Sequence, residues 1–251
     1  SRCRDFLFGG GGGGLRPTQQ AALINTPRDY YVDLAGTDSK DKLTHAGLYG
    51  VETSMATLGN LYGVNVDQYL RINFAGFISI IDAVGGVDVY SDQAFTSVGS
   101  PGYYDPTTFA EGWNHLDGKS ALAFARERHA FDDGDNQRGK NQMAVIQAII
   151  SKASSPAVLK NYQTLLSSLS DAFITSLSYD DIASLVQMQL QDMSGWNITT
   201  YGLAGENSAD YCYSLGNDAR YAVVLPNERM VATAQDLIQQ VLRGETPVVN
   251  P

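Results

Sequence analysis

The sequence predicts an α/β domain, a central mixed β-sheet with helices on both faces, and three observations carry that prediction. Short apolar runs closed by turn residues, such as Ala21–Asn25 before Thr26-Pro27, have the length and composition of buried strands. Longer stretches place apolar residues on one helical face, as Ile182, Leu185, Val186 and Leu190 do. The two kinds of stretch alternate, and no linker-like composition interrupts the 251 residues, which suffice for a substantial core. The reading is one domain over 17–244, preceded by an irregular segment (1–16) and followed by a frayed tail (245–251).

In chain order, Gly9–Gly14 are six consecutive glycines, which favour neither strand nor helix. Ala21–Asn25 and Tyr30–Leu34 are strands, with Arg28 and Asp29 between them. Lys40–Lys42 is solvated loop, and a glycine-interrupted helix runs from about Thr44 to Leu61. Val66–Phe74 alternates apolar and polar residues and reads as a strand. A helix over Phe77–Val84 ends at Gly85-Gly86, and Val87–Tyr90 is a strand. This strand, helix, strand order implies parallel neighbours. Gln93–Gly112 is a loop whose aromatic residues either roof a cleft or pin the loop to the core. Asp117 caps a short helix through Ala121–Ala125. Pro156 opens a helix through about Leu169, Ser178 and Asp181 form a capping box, and strands at Trp196–Tyr201 and Ala219–Leu225 precede a helix over about Asn227–Arg243. The helical apolar surface exceeds what a sheet needs: it either belongs to a plain α/β core, the reading the pattern alone favours, or walls an elongated apolar cavity lined from Phe74–Val84, Met143–Ile150 and Leu159–Leu190.

The charge is net −10, which excludes a broad nucleic-acid surface. Against that background, four of the seventeen Lys and Arg fall within Arg126–Lys140. A helix ending near Arg126 would leave Arg126 and Arg128 on one face of extended chain, whereas in a helix they would diverge by roughly 200°. Asp132-Asp-Gly-Asp135 forms a turn whose last carboxylate caps the next helix, on which Arg138 and Gln142 share a face at i and i+4. Planar guanidinium forks converging in this way suit bidentate capture of phosphate oxygens. The alternative is that the arginines pair with Glu127, Asp132, Asp133 and Asp135 in a solvated network. The three histidines, His45, His115 and His129, lie far apart and show no metal-ligand spacing, so a zinc site is not expected, and Cys3 and Cys212 leave a disulfide open. No apolar run reaches the roughly 18 residues that cross a bilayer.

Thr26-Pro-Arg-Asp29, Ile81-Asp-Ala-Val-Gly-Gly-Val-Asp-Val89, Leu116–Ala125, and Arg126-x-Arg128 followed by Asp135-x-x-Arg138-x-x-x-Gln142 together resemble the LytR-CpsA-Psr family. The resemblance implies a cell-wall glycopolymer transferase with an apolar tunnel for a polyprenyl tail. It would move a glycan phosphate polymer (teichoic acid, or a capsular or secondary wall polysaccharide) from a polyprenyl-pyrophosphate carrier to peptidoglycan, with pyrophosphatase as a side activity. A polyprenyl-phosphate binding module or a cell-envelope regulator is the alternative. The implied location is the extracellular face of the bacterial cytoplasmic membrane, with an anchoring N-terminal helix outside this sequence and no nucleic-acid partner. Carried over position by position, the phosphate-binding residues are Arg28, Arg71, Arg126, Arg128, Arg138 and Gln142. Arg28, Arg126, Arg128, Asp135 and Arg138 are the catalytic set, in which Asp135 either orients arginines or accepts the attacking hydroxyl's proton. The implied cofactor is Mg²⁺, for which Asp5 is the matching carboxylate. The sequence departs from the family there, since the strand expected upstream of Asp5 has no counterpart and the glycine run follows it.

Overall fold

Strand and helix alternate along the chain as β1 (Gln20–Asn25), β2 (Tyr31–Asp33), β3 (Lys40–Lys42), a 3-10 helix (Leu43–Tyr49), α1 (Val51–Tyr62), β4 (Leu70–Ile72), α2 (Phe74–Ala83), β5 (Val87–Ser91), β6 (Phe95–Thr96), β7 (Thr108–Phe109), β8 (Gly112–Leu116), α3 (Gly118–Arg126), α4 (Gly134–Ala153), α5 (Pro156–Lys160), α6 (Tyr162–Ser168), β9 (Phe173–Thr175), α7 (Tyr179–Gln191), β10 (Asn197–Gly202), β11 (Gly205–Cys212), β12 (Gly216–Pro226) and α8 (Glu228–Leu242). This is a computed structural model. It describes residues 19–132 and 134–249, without the side chains of Asp135 and Asn217; Cys3 and Asp5 therefore lie outside the described residues.

Two compact units are present, one built on Leu70–Trp196 and the other on the segments up to Tyr69 and from Asn197 onward. In the second unit β1 runs parallel to β10, and β2–β3 and β11–β12 are antiparallel ladders. A parallel bridge from Tyr30 to Val224 links them, so the pairing is mixed. The core there gathers Tyr30, Val32, Leu58, Tyr62, Leu203 and Ala234. Burial pushes the Tyr30 phenol up to about 12, and its hydroxyl donates to the Ala204 carbonyl at 2.7 Å.

The first unit packs α2, α3 and α4 around a cluster in which Phe95, Phe109 and Phe124 meet in tilted and edge-to-face pairs with centroids 4.8–5.3 Å apart. Phe95 and Phe109 come from the segment read as loop, and they pin it to the core. Its ends are in fact paired, because β6 and β7 form a short antiparallel ladder.

The expected parallel strand, helix, strand unit is not formed. β4 pairs antiparallel with β9, and β5 pairs antiparallel with β8. The handedness rule applies to strands sharing a sheet, and here each strand took a different partner. The strand over Val66–Phe74 is correspondingly short, because Asn73 caps α2 by accepting from the Gly76 amide at 2.7 Å. Lys40–Lys42, read as loop, is β3, and β11 was not foreseen. The helix from Pro156 breaks at Asn161 into α5 and α6. The capping box of Ser178 and Asp181 is present at the start of α7. Leu185 and Leu190, expected on its buried face, are exposed at 47% and 43%.

Candidate functional site

α3 brings the first arginines to the surface of the first unit. Its start is fixed from two sides, since Asp117 accepts from the Ser120 amide at 2.8 Å and Asp82 accepts from the Gly118 amide at 2.7 Å. Gly118 is required there, because a Cβ would lie 2.3 Å from the Ile78 carbonyl. The helix body, Ala121–Ala125, is buried against the phenylalanine cluster, and the helix stops at Arg126 as the sequence predicts. Glu127 is extended, with φ −62° and ψ 134°, so Arg126 and Arg128 flank an extended residue.

Glu127 organises the segment beyond the helix stop. Its side chain is 2% exposed, and its carboxylate accepts from the backbone amides of Val98 (2.7 Å), Arg128 (2.9 Å), His129 (2.5 Å) and Ala130 (3.0 Å). Burial alone would raise its pKa, but these four amides outweigh it and hold the carboxyl below its ordinary value. The acid is therefore ionised, and peptide dipoles rather than arginines neutralise it. Of the four acids the sequence offers as arginine partners, Glu127 is taken by backbone amides instead.

Arg126 is half-buried. Its guanidinium lies 4.4 Å from the Phe74 ring centroid and 5.7 Å from that of Tyr104, and Nη1 donates to Ser100 Oγ at 3.0 Å. Ring faces attract the cation without neutralising its charge. Arg128 is exposed, with Nε 3.4 Å from His129 Nε2. Arg138 is half-buried in α4. Asp135, expected as the cap, lies inside the first turn of α4, which begins at Gly134. A Cβ on Gly134 would sit 2.1 Å from the Arg128 carbonyl, so glycine lets α4 begin against the arginine segment.

Gln142 and its neighbour Asn141 join the two helices. Gln142 Nε2 donates to the Ala125 carbonyl at 2.9 Å and Asn141 Nδ2 to the Phe124 carbonyl at 3.2 Å. These are terminal carbonyls of α3, which a helix leaves without an internal partner. Arg71, on β4, keeps its Nε buried without a hydrogen-bond partner. An orphaned guanidinium donor is costly unless a ligand meets it. Arg28 belongs to the second unit, where its Nε is 3.3 Å from Asp29 Oδ2 and Lys42 Nζ is 3.4 Å from Asp29 Oδ1.

Sequence reasoning named Glu127 only as an ion-pair partner of the arginines, and missed Phe74, Tyr104, Ser100 and Asn141 as parts of this site. Only the position of Glu127 between two arginines was a signal, and its amide partners are invisible without the fold. Apolar residues on the surrounding helices, among them Phe77, Ile149, Val158 and Leu165, pack on the core while remaining only partly buried.

The LytR_cpsA_psr family profile matches residues 15–230. The chain belongs to that family. It is 36% identical over 168 residues, 66% of this chain and 53% of the relative, to a protein of Enterococcus faecalis named polyisoprenyl-teichoic acid–peptidoglycan teichoic acid transferase TagU. A Bacillus anthracis protein of the same name is 38% identical over 160 residues, covering 63% of this chain and 50% of the relative. The chain thus spans about half the length of the curated relatives it matches. Among solved structures, Bacillus subtilis TagV superposes with a TM-score of 0.70 at 26% identity, covering 89% of this chain and 84% of that one. TagT bound to LI-WTA superposes at 0.67 and 25% identity, covering 91% and 81%. The family and the α/β fold that the sequence predicts are those found.

Proposed function

We propose that this family member transfers a glycan phosphate polymer of the teichoic-acid type from a polyprenyl-diphosphate carrier to a hydroxyl of peptidoglycan. The observation that carries the reading is the state of Arg126: it is held by two aromatic faces and a hydroxyl, while the adjacent acid Glu127 is satisfied by backbone amides. A cation so positioned and not internally neutralised fits a ligand with dispersed negative charge. The names of the relatives support the substrate class.

In the proposed reaction an acceptor hydroxyl attacks the glycan-bearing phosphorus. The bond from that phosphorus to the bridging oxygen breaks, polyprenyl phosphate leaves, and a phosphodiester and one proton are the other products. Such a transfer asks little covalent chemistry of a protein beyond positioning and charge stabilisation. Arg126, Arg128 and Arg138 would hold the phosphate oxygens and stabilise the charge that grows on the leaving oxygen. Gln142 would keep α3 and α4 in register, so that arginines from both present one surface. The partly buried apolar residues near Phe77 and Leu165 are the candidate seat of the prenyl tail.

Mg²⁺ is part of the proposal through the resemblance alone. Near the arginines the described carboxylate Glu127 has its oxygens engaged by amides, and Asp5 lies outside the described residues, so no step is assigned to the ion. Anchorage at the extracellular face of a membrane is likewise proposed from the family; no helix among the described residues is long and apolar enough to cross a bilayer.

The test is release of polyprenyl phosphate from a labelled diphosphate-linked glycan in the presence of peptidoglycan, with label appearing in the wall fraction. Carrier binding without release would replace the transferase reading with that of a lipid-binding module.

A further inference from the structure

The second unit contains a cluster that the transferase reading does not use. Asp41 at the centre of β3 is fully buried, His45 lies one turn later in the 3-10 helix, and Cys212 ends β11 with no exposure. One ligand atom from each lies within 4.8 Å of the others. Asp41 Oδ1 is 2.7 Å from His45 Nδ1, and Ser214 Oγ is 2.9 Å from the same nitrogen. Asp41 also accepts from the amides of Lys42 (2.7 Å) and Ser214 (2.8 Å).

Local structure aims these groups inward. The β11–β12 register shifts between Asp210 and Cys212, and such a bulge redirects side chains. Lys42, next to Asp41, turns its Nζ to Asp29 instead, so among the described residues the basic side chain paired with Asp41 is His45. A catalytic thiol is not the reading that fits. The Cys212 thiol is pushed up by burial and by Asp41, and His45 Nδ1 already faces the carboxylate and a hydroxyl.

We infer that Asp41, His45 and Cys212 form a site for a borderline divalent transition metal, of the Zn²⁺ class, with Ser214 Oγ or a water as the fourth donor. Thiolate and imidazole donors select Zn²⁺ or Co²⁺ over Mg²⁺, which takes oxygen ligands. Tetrahedral ligation puts neighbouring donor atoms about 3.3–3.7 Å apart, from bonds of roughly 2.0–2.3 Å. The donors, spread between 2.7 and 4.8 Å, therefore need shifts on the order of 1 Å. On binding, the thiol loses one proton to solvent and the sulfur bonds the metal. Ligation through Nδ1 requires the imidazole tautomer that carries its proton on Nε2. A bound metal would tie the contiguous β3 and 3-10 helix to β11, more than 150 residues later in the chain.

The test is Co²⁺ titration of the chelator-treated protein, monitored by absorption. The inference expects one equivalent of Co²⁺ to give a thiolate-to-cobalt charge-transfer band, displaced by Zn²⁺ and unaffected by excess Mg²⁺. Cys212→Ser should abolish the band, Cys3→Ser should retain it, and His45→Gln should weaken binding on the order of 100-fold. Absence of the band in the wild-type protein at stoichiometric Co²⁺ would overturn the inference, whatever the folding of the variants. So would a band that survives Cys212→Ser and disappears in Cys3→Ser.

Discussion

Two buried carboxylates, Glu127 in one unit and Asp41 in the other, meet opposite fates. Both are at most 2% exposed and both have pKa values held low by hydrogen bonds that outweigh burial. Glu127 is satisfied by four backbone amides, so its charge is closed off and does not neutralise Arg126 beside it. Asp41 takes two amides and faces an imidazole and a thiol, two donors of the kind that bind a transition metal. What surrounds a buried charge, and not the charge itself, decides whether it is scaffold or ligand.

The comparison breaks most visibly at Glu127. Glu127→Ala leaves four amides without an acceptor, and we expect a loss of about 3–4 kcal/mol, read from the urea midpoint. An unchanged midpoint would mean that water replaces the carboxylate at no cost. The pH dependence sharpens the same point. The folded pKa of Glu127 is depressed below its ordinary 4.5 and that of Asp41 below 3.8, so each contributes stability above those values that is lost as pH falls through the folded pKa. Glu127→Gln should flatten the upper part of the acid limb and Asp41→Asn the lower part, measured by denaturation at a series of pH values.

Next in size is Arg126→Ala. Loss of a charge-assisted phosphate contact of about 1.5–3 kcal/mol should weaken diphosphate-lipid binding roughly 10–100-fold with little change in thermal stability. Lysine at this position should recover only part of the affinity, since it lacks the planar fork that stacks on Phe74 and grips two oxygens. Equal affinity of wild type and Arg126→Ala would remove this arginine from the site. Gly134→Ala should cost about 2 kcal/mol, because its Cβ meets the Arg128 carbonyl at 2.1 Å and backbone must move. A fall in lipid affinity alongside the fall in stability would tie that approach to the geometry of the arginines. The smallest effect is expected for Asn141→Ala, about 1 kcal/mol for its bond to the Phe124 carbonyl, measured by thermal unfolding.

Local rules account for the features that were legible in the chain. Asp117 caps α3, the helix ends at Arg126, and Ser178 with Asp181 makes a capping box, because each of these depends on residues within one helical turn. The arginine spacing was legible for the same reason. An extended residue between Arg126 and Arg128 results from the helix stop, and the motif order pointed to the family that the comparison found.

Partnership over long separations was decided only by the tertiary structure. The pairing of β4 with β9 overrode a local pattern that suggested a parallel unit, since a strand's partner is set by which apolar faces meet. Glu127 reaches Val98, 29 residues away, and Ser214 reaches Asp41, 173 residues away. The sequence singled out Arg126 for its chemistry but gave no such sign for Asp41, His45 or Cys212. It could not say which buried groups would be neutralised by backbone and which would face one another, because a buried charge takes its role from neighbours that only the folded chain supplies.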